Sequence, residues 1–238
     1  MSIPRKEIHE NLPDNYGIAY QRLVSLKRKL EHQPNVSKQY HDYFNDQLEK
    51  GVIEKVDSND HEKIGWTHYL PHHGVVREDK DTTKLRVVFD ASCRGSGPSL
   101  NDCLEAGPSL NPELFDVLLR FRLFPIALVA DIEKAFFMIS VNPEDRDVLR
   151  FLWIDSHDSS KTVTYRQARL PMGLNASPSI LTSTIQEHLA KYEESEPQIV
   201  KTVQDSLYVD DLCAGEFDDE NGFLTRRQRE FLVKVHST

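Results

Sequence analysis

The chain reads as an α+β protein with an antiparallel sheet at its centre. Three observations carry that reading. Two apolar stripes of helical period fill the first fifty residues. Beyond them, short β-rich runs alternate with charged or Asn/Pro turns, the pattern of hairpins. One of these runs, Ile126–Ile132 (IALVADI), is almost wholly apolar and carries Asp131 near its end, as a buried central strand would. With 238 residues, 39% of them hydrophobic, the chain is long enough to bury a core and has the composition of a folded soluble protein.

The elements follow in order. Ala19, Leu23, Leu26 and Leu30 recur at helical steps, with Arg22, Lys27, Arg28 and Lys29 on the other faces. Pro34 is expected to end that helix. Val36, Tyr40, Phe44 and Leu48 make a second stripe, closed by Gly51 at C′. Thr67–Leu70, Gly74–Arg77 and Leu85–Phe89 read as strands, with the charged turn Glu78–Lys84 as a hairpin tip. Residues 92–112 are loop-rich, and the tetrapeptide GPSL at 97–100 and 107–110 marks two similar turns. Pro112–Phe121 is a short helix. After Ile126–Ile132, strands are expected at Phe136–Val141 and Leu149–Ile154, around an Asn142–Pro143 turn, and at Val163–Leu170. Ser177 before Pro178 reads as an N-cap with proline at N1, opening a helix that runs to Tyr192. Val203–Gly215 reads as a hairpin with its tip at Val209–Asp211. Glu216–Thr238 is an acidic, then basic, partly helical tail.

Composition excludes several classes. No run approaches the roughly eighteen apolar residues of a membrane span, so no membrane partner is expected. Met1–Glu10 lacks the apolar core of a secretory signal, which makes the glycosylation patterns at Asn35 and Asn175 chance matches. Cys93, Cys103 and Cys213 fit no metal spacing and read as free thiols in a reducing compartment. There is no P-loop, dinucleotide fingerprint, nucleophile elbow or zinc-protease motif, and His72–His73 has no ligand partner at metal spacing. The net charge of −9 is unfavourable for a generic nucleic-acid binder. It is unevenly spread, however: residues 1–100 balance 15 basic against 15 acidic side chains, and the whole excess lies in residues 101–238.

Two acidic features stand out in that second part. Asp131, at the end of an apolar strand, is costly to bury unless something satisfies it. Asp210 and Asp211 are adjacent carboxylates at a tight turn, where hairpin geometry asks for Gly rather than a second acid. Oxygen-only ligands of this kind suit Mg²⁺, and two such ions about 4 Å apart are the apparatus of phosphoryl transfer. An exposed acidic turn is the plain alternative.

Val129–Phe137 (VADIEKAFF), Leu170–Pro178 (LPMGLNASP) and Tyr208–Leu212 (YVDDL) resemble, in order and spacing, the motif set of retroelement reverse transcriptases; Asp131 and Asp210 are 79 residues apart. Thr83–Arg86 and Val87–Ser92 (VVFDAS) precede them. Tyr69–Ser92 and Ser99–Leu104 (SLNDCL) resemble most closely the BEL/Pao class of LTR retrotransposons, and the similarity covers roughly residues 10–216. The resemblance implies a right-hand polymerase fold with fingers and palm, and an antiparallel palm sheet with packed helices. It implies an RNA-directed DNA polymerase that joins dNTPs to a primer 3′-hydroxyl on an RNA or DNA template.

The same resemblance assigns roles. Asp131, Asp210 and Asp211 would be catalytic and, with the carbonyl of Ile132, would hold two Mg²⁺ or Mn²⁺ ions. Lys84 and Arg86 would meet the triphosphate. Phe136 would be the steric gate against a 2′-hydroxyl. Met172, standing where the family often has Gln, and Gly173 would line the nascent base pair. Tyr208 and Pro178 would touch primer and template. The implied partners are a template–primer duplex, dNTPs and the rest of a Pol polyprotein (protease, RNase H, integrase), and the implied place is a cytoplasmic particle or the nucleus.

Only 27 residues follow Asp211, and neither Trp66 nor Trp153 lies beyond it. The expectation is therefore a chain without a thumb, either a truncated element or a piece of a polyprotein. Its parts would be an N-terminal helical region (1–65), a fingers-like region (66–125), a palm-like catalytic region (126–216) and an atypical tail (217–238). The alternative is a catalytically silent remnant that binds nucleic acid or protein.

Overall fold

Pro34 opens a helix rather than closing one. Helix α1 (Tyr16–Glu31) stops before it, and α2 (Pro34–Glu49) carries it at the first helical position, where its missing N–H costs nothing. α1 buries Ala19, Leu23 and Leu30. α2 buries Tyr40, Phe44 and Gln47, whereas Leu48 is exposed. Each step of four residues overshoots a full turn by about 40°, so the Val36–Tyr40–Phe44–Leu48 stripe rotates off the covered face by its last member. Gly51, at φ +64°, closes α2. Its N–H donates to the Leu48 carbonyl (3.1 Å), and that of Val52 donates to Gln47 (2.9 Å), the two bonds of a Schellman cap.

The computed structural model describes residues 1–7, 11–57, 66–76, 85–155, 158 and 160–217. The Glu78–Lys84 turn, with Lys84, and the tail from 218 lie outside the described residues. The chain divides into two compact units. The first is Met1–Ala106 with Ser140–Ser177, and the second is Gly107–Ile139 with Pro178–Thr238. Both combine helices with antiparallel sheet.

The first unit adds to α1 and α2 a hairpin of β2 (His72–Val76) and β3 (Leu85–Phe89), with His72 opposite Phe89. Its sheet is built from β1 (Ile53–Lys55), β5 (Arg150–Ile154) and β6 (Thr162–Gln167), in the order β1-β6-β5. Every residue of β5 is buried. Its outer edge is closed by the chain at 68–70: Leu70 N–H donates to the Arg150 carbonyl (2.7 Å), and Arg150 N–H to that of His68 (3.2 Å). Thr67–Leu70, expected as a strand, supplies only this bridge at Tyr69. Before β5, Asn142 caps a 3₁₀ helix over Pro143–Leu149, accepting from the Glu144 N–H.

An aromatic cluster fills the core of this unit. Phe44 lies 5.3 Å from Phe151 and 4.9 Å from Trp153, and Phe89 lies 5.0 Å from Phe151. His72 stands among them. Its Nε2 donates to the Leu152 carbonyl (3.0 Å), and burial pushes its pKa down to about 4 against that bond. His72 is thus core, while His73, its neighbour on the strand, is exposed.

The second unit holds α3 (Leu114–Arg122), β4 (Ile126–Asp131), nearly all of α4 (Ser177–Ala190), α5 (Pro197–Ser206), β7 (Leu207–Tyr208) and β8 (Asp211–Glu216). The sheet order is β4-β8-β7. Here the expectation fails: β4 is not a buried central strand but an edge strand with no buried residue, and Val129 is 59% exposed. The central strand is β8, where Leu212 and Ala214 are buried. Phe136–Val141 is not a strand either. Lys134 takes a left-handed conformation (φ +54°), which turns the chain into a 3₁₀ helix over Ala135–Met138. The hairpin expected from Val203 starts later, because α5, opened by Pro197, buries Ile199, Val200 and Val203 and runs to Ser206. No helix among the described residues is long and apolar enough to cross a membrane.

Candidate active site

The register of β4 against β8 decides which acids meet. Ala130 pairs with Leu212 and Asp131 with Asp211, so two carboxylates far apart in sequence stand opposite each other across one ladder. Directly opposed residues have Cα atoms about 4.5–5.5 Å apart. Tyr208 pairs with Asp211, which leaves Val209 and Asp210 as a two-residue loop. The Ile132 N–H donates to the Asp210 carbonyl at 2.9 Å and ties the strand end to that loop. The three aspartates therefore share one end of one sheet.

Asp131 and Asp211 are exposed and Asp210 is half-buried. Among the described residues no ion pair joins a cation to Asp131 or Asp211; the nearby Lys134 pairs with Glu133 at 3.3 Å. Like charges held this close favour a cation between them. Every side-chain donor is an oxygen, the choice of a hard divalent ion. The Ile132 carbonyl accepts from the Ala135 N–H (3.2 Å), which leaves its second lone pair for another partner. Among the described residues, no three His, Cys, Asp or Glu side chains form a ready-made metal cage.

The loop is strained. Val209 adopts φ +61°. For a β-branched residue this left-handed conformation is a true outlier, costing about 1–3 kcal/mol unless its surroundings hold it. Leu207 and Leu212, both buried, anchor the hairpin on either side. Cys213 follows on β8, where burial and then the Asp211 charge push its thiol pKa up, so it is no activated nucleophile.

Other expected residues divide between the units. Phe136 sits half-buried in the 3₁₀ turn after Asp131, Tyr208 is half-buried on β7, and Pro178 is exposed in the first turn of α4. These belong to the second unit, with the aspartates. Arg86, exposed on β3, and Met172 and Gly173, in a turn, belong to the first.

Gly173 has a steric reason to be glycine. Its φ is +110°, and a Cβ there would stand 2.6 Å from the Phe89 carbonyl oxygen. Sequence reasoning missed what holds this loop. Asn101 Nδ2 donates to Ser92 Oγ (2.9 Å) and to the Gly173 carbonyl (3.0 Å). The Asn175 N–H donates to Asn101 Oδ1, and Asn175 Nδ2 to the Asn101 carbonyl, both at 2.9 Å. The LPMGLNASP loop is thereby clamped to the end of VVFDAS. Ser177, expected as an N-cap, donates its hydroxyl to the Pro171 carbonyl in the same loop (2.8 Å). The only hint in the sequence was an Asn in each of two Gly/Pro-rich stretches.

Residues 122–223 match the family described as "Reverse transcriptase (RNA-dependent DNA polymerase)". Curated relatives include the Gag-Pol polyproteins of Koala retrovirus, Woolly monkey sarcoma virus and Gibbon ape leukemia virus. Each is 31% identical over 84 residues, which is 35% of this chain and 5% of the polyprotein. The matched stretch is thus a small part of each relative. The family match spans β4, the YVDD loop and all three aspartates.

Proposed function

We propose that the chain carries the nucleotidyl-transfer centre of an RNA-directed DNA polymerase, drawn from the Pol polyprotein of a BEL/Pao-type retroelement. One observation carries the reading: the register that sets Asp131 against Asp211, with Asp210 in the adjoining loop. Residues 66–125 would be fingers-like and 126–216 palm-like.

Asp131, Asp210, Asp211 and the Ile132 carbonyl would hold two Mg²⁺ or Mn²⁺ ions. Such ions, when bound, lower the pKa of the attacking hydroxyl and neutralise charge on the phosphates. Mg²⁺ keeps waters and shares substrate oxygens, so it needs no all-protein cage. The exposed setting of Asp131 and Asp211 leaves both open to a triphosphate. Tyr208 would pack beside the primer end, and Phe136 would stand under the sugar. Lys84 and Arg86 would take the triphosphate; the guanidinium suits paired phosphate oxygens. Met172 and Gly173 would offer a flat surface to the nascent base pair. The duplex partner would be held by its backbone, without reading of sequence.

Primer extension on an RNA template with Mg²⁺ or Mn²⁺ tests the proposal. Incorporation of dNTPs is expected, with Asp210→Asn reducing it to background while the circular dichroism spectrum stays unchanged. A wild-type chain that binds primer–template but extends nothing at any enzyme concentration would overturn it. Phe136→Val should raise rNTP use relative to dNTP use, and an unchanged ratio would remove the gate.

A further inference from the structure

The strained loop that presents Asp210 needs something to hold it. Tyr208 and Asp211 close the ladder, so the Val209 N–H lies outside the β7–β8 pairing. It donates instead to Asn111 Oδ1, at 3.3 Å. The same oxygen accepts from Thr182 Oγ1 on α4, at 3.0 Å. An amide oxygen has two lone pairs and can serve both donors at once. The loop around Asn111 is itself fixed: Gln186 Nε2, one turn further along α4, donates to the neighbouring Leu110 carbonyl (3.4 Å). On α3, which follows that loop, Arg120 Nη2 donates to the Asp205 carbonyl near the end of α5 (2.8 Å). All of these residues lie in the second unit.

We infer that Asn111 is the positioning residue of the YVDD loop: its side-chain oxygen holds Val209 left-handed and so sets where Asp210 stands. This rests on the polymerase reading above and adds to it a residue that touches neither substrate nor metal. A Val at φ +61° persists only where neighbours over-determine it. Leu207 and Leu212 bury the hairpin stem, but they place no constraint on the φ of the loop. The hydrogen bond to Asn111 acts on the Val209 amide itself. Because the next residue is Asp210, a relaxed Val209 would swing that carboxylate away from Asp131 and Asp211.

Two measurements on the whole chain test this. The first needs no activity: exchange of the Val209 amide proton, read by NMR. Asn111→Ala should accelerate it about tenfold, and Asn111→Asp, which keeps an acceptor oxygen, should restore most of the protection. Thr182→Val should give a smaller acceleration, because Asn111 keeps its bond to Val209; it also serves as the probe if the alanine variant folds poorly. Exchange that is unchanged in both Asn111→Ala and Thr182→Val would overturn the inference. The second is steady-state extension. Asn111→Ala should lower kcat by about ten- to a hundredfold with KM for dNTP within threefold and Tm unmoved. A lowered Tm with kcat per folded molecule unchanged would show a merely structural loop anchor and overturn it. A wild-type chain without polymerase activity would sink the proposed function, yet the exchange experiment would still judge the clamp.

Discussion

Among the described residues, two three-stranded antiparallel sheets treat water in opposite ways. In the first unit β5 is buried from end to end, with the aromatic cluster on it and the 68–70 segment along its edge. In the second, β4 buries nothing, and α3, packed against β8, turns Leu114, Phe115, Leu118 and Leu119 outward. The charges differ as sharply. In the first unit, Asp147 accepts from Arg150 (3.0 Å) and Arg166 (2.8 Å), and Glu54 accepts from Arg146 (2.7 Å) and Arg166 (2.6 Å). At the end of the second sheet, Asp131 and Asp211 face each other with no such cation among the described residues. One sheet pairs its acids within itself; the other leaves Asp131 and Asp211 exposed. On the proposed function, stability and chemistry fall to different sheets, and mutations should separate them.

The largest effect should come from the buried sheet. Phe151 is fully buried and stacks on Phe44 and Tyr165. Phe151→Ala should cost about 3–5 kcal/mol in urea unfolding, more than any substitution on β4. Next is Asp147→Asn, which leaves Arg150 and Arg166 without their shared carboxylate. Burial raises the pKa of Asp147, and the two guanidiniums more than offset that, holding it below the ordinary carboxylate range. Losing the charge should cost about 3 kcal/mol by the same assay. An Asn variant as stable as the parent would break the claim that this network secures the sheet.

His72 gives a pH-dependent effect. Its folded pKa of about 4 lies below the ordinary value near 6.5. Between those values the unfolded chain takes up a proton and the folded chain does not. Stability should therefore fall as pH drops through this window, by about 1.4 kcal/mol per pH unit, and level off below pH 4. His72→Phe should flatten that slope in unfolding curves collected between pH 7 and 4. The smallest effect belongs to the exposed strand: Val129→Ser should change Tm by an amount equivalent to about 0.5 kcal/mol or less. A larger loss there would mean that β4 is covered in solution.

What the sequence made legible follows from range. Local patterns were enough for α1, α2, β3, β5 and the hairpin loop, because period, Gly51 and the two aspartates act on their own neighbours. The motif order also singles out Asp131, Asp210 and Asp211, and the strand register sets Asp131 opposite Asp211. Burial was less legible. Ile126–Ile132 is apolar enough for a central strand, but apolar residues also populate surfaces, and only the pairing of β4 with β8 alone makes it an edge. Phe136–Val141 alternates in the manner of a strand, yet the left-handed Lys134 redirects it. Asn101 and Asn111 were invisible for a different reason. Their partners lie about seventy to a hundred residues away, and a side-chain amide in a loop carries no periodic signal.

The pairing of β1 with β6 joins Lys55 to Tyr165 and Ile53 to Gln167, so about a hundred residues separate the two strands in the chain. A ribosome adding about 5–20 residues per second needs roughly five to twenty seconds to make that stretch. During synthesis α1, α2 and the β2–β3 hairpin emerge first, and Tyr40 and Phe44 wait in water for Phe151 and Trp153. The aromatic cluster that steadies the finished protein is, for those seconds, its most adhesive surface. Expression yield should respond to slower translation and to holdase chaperones at that interval more than to any change near the aspartates.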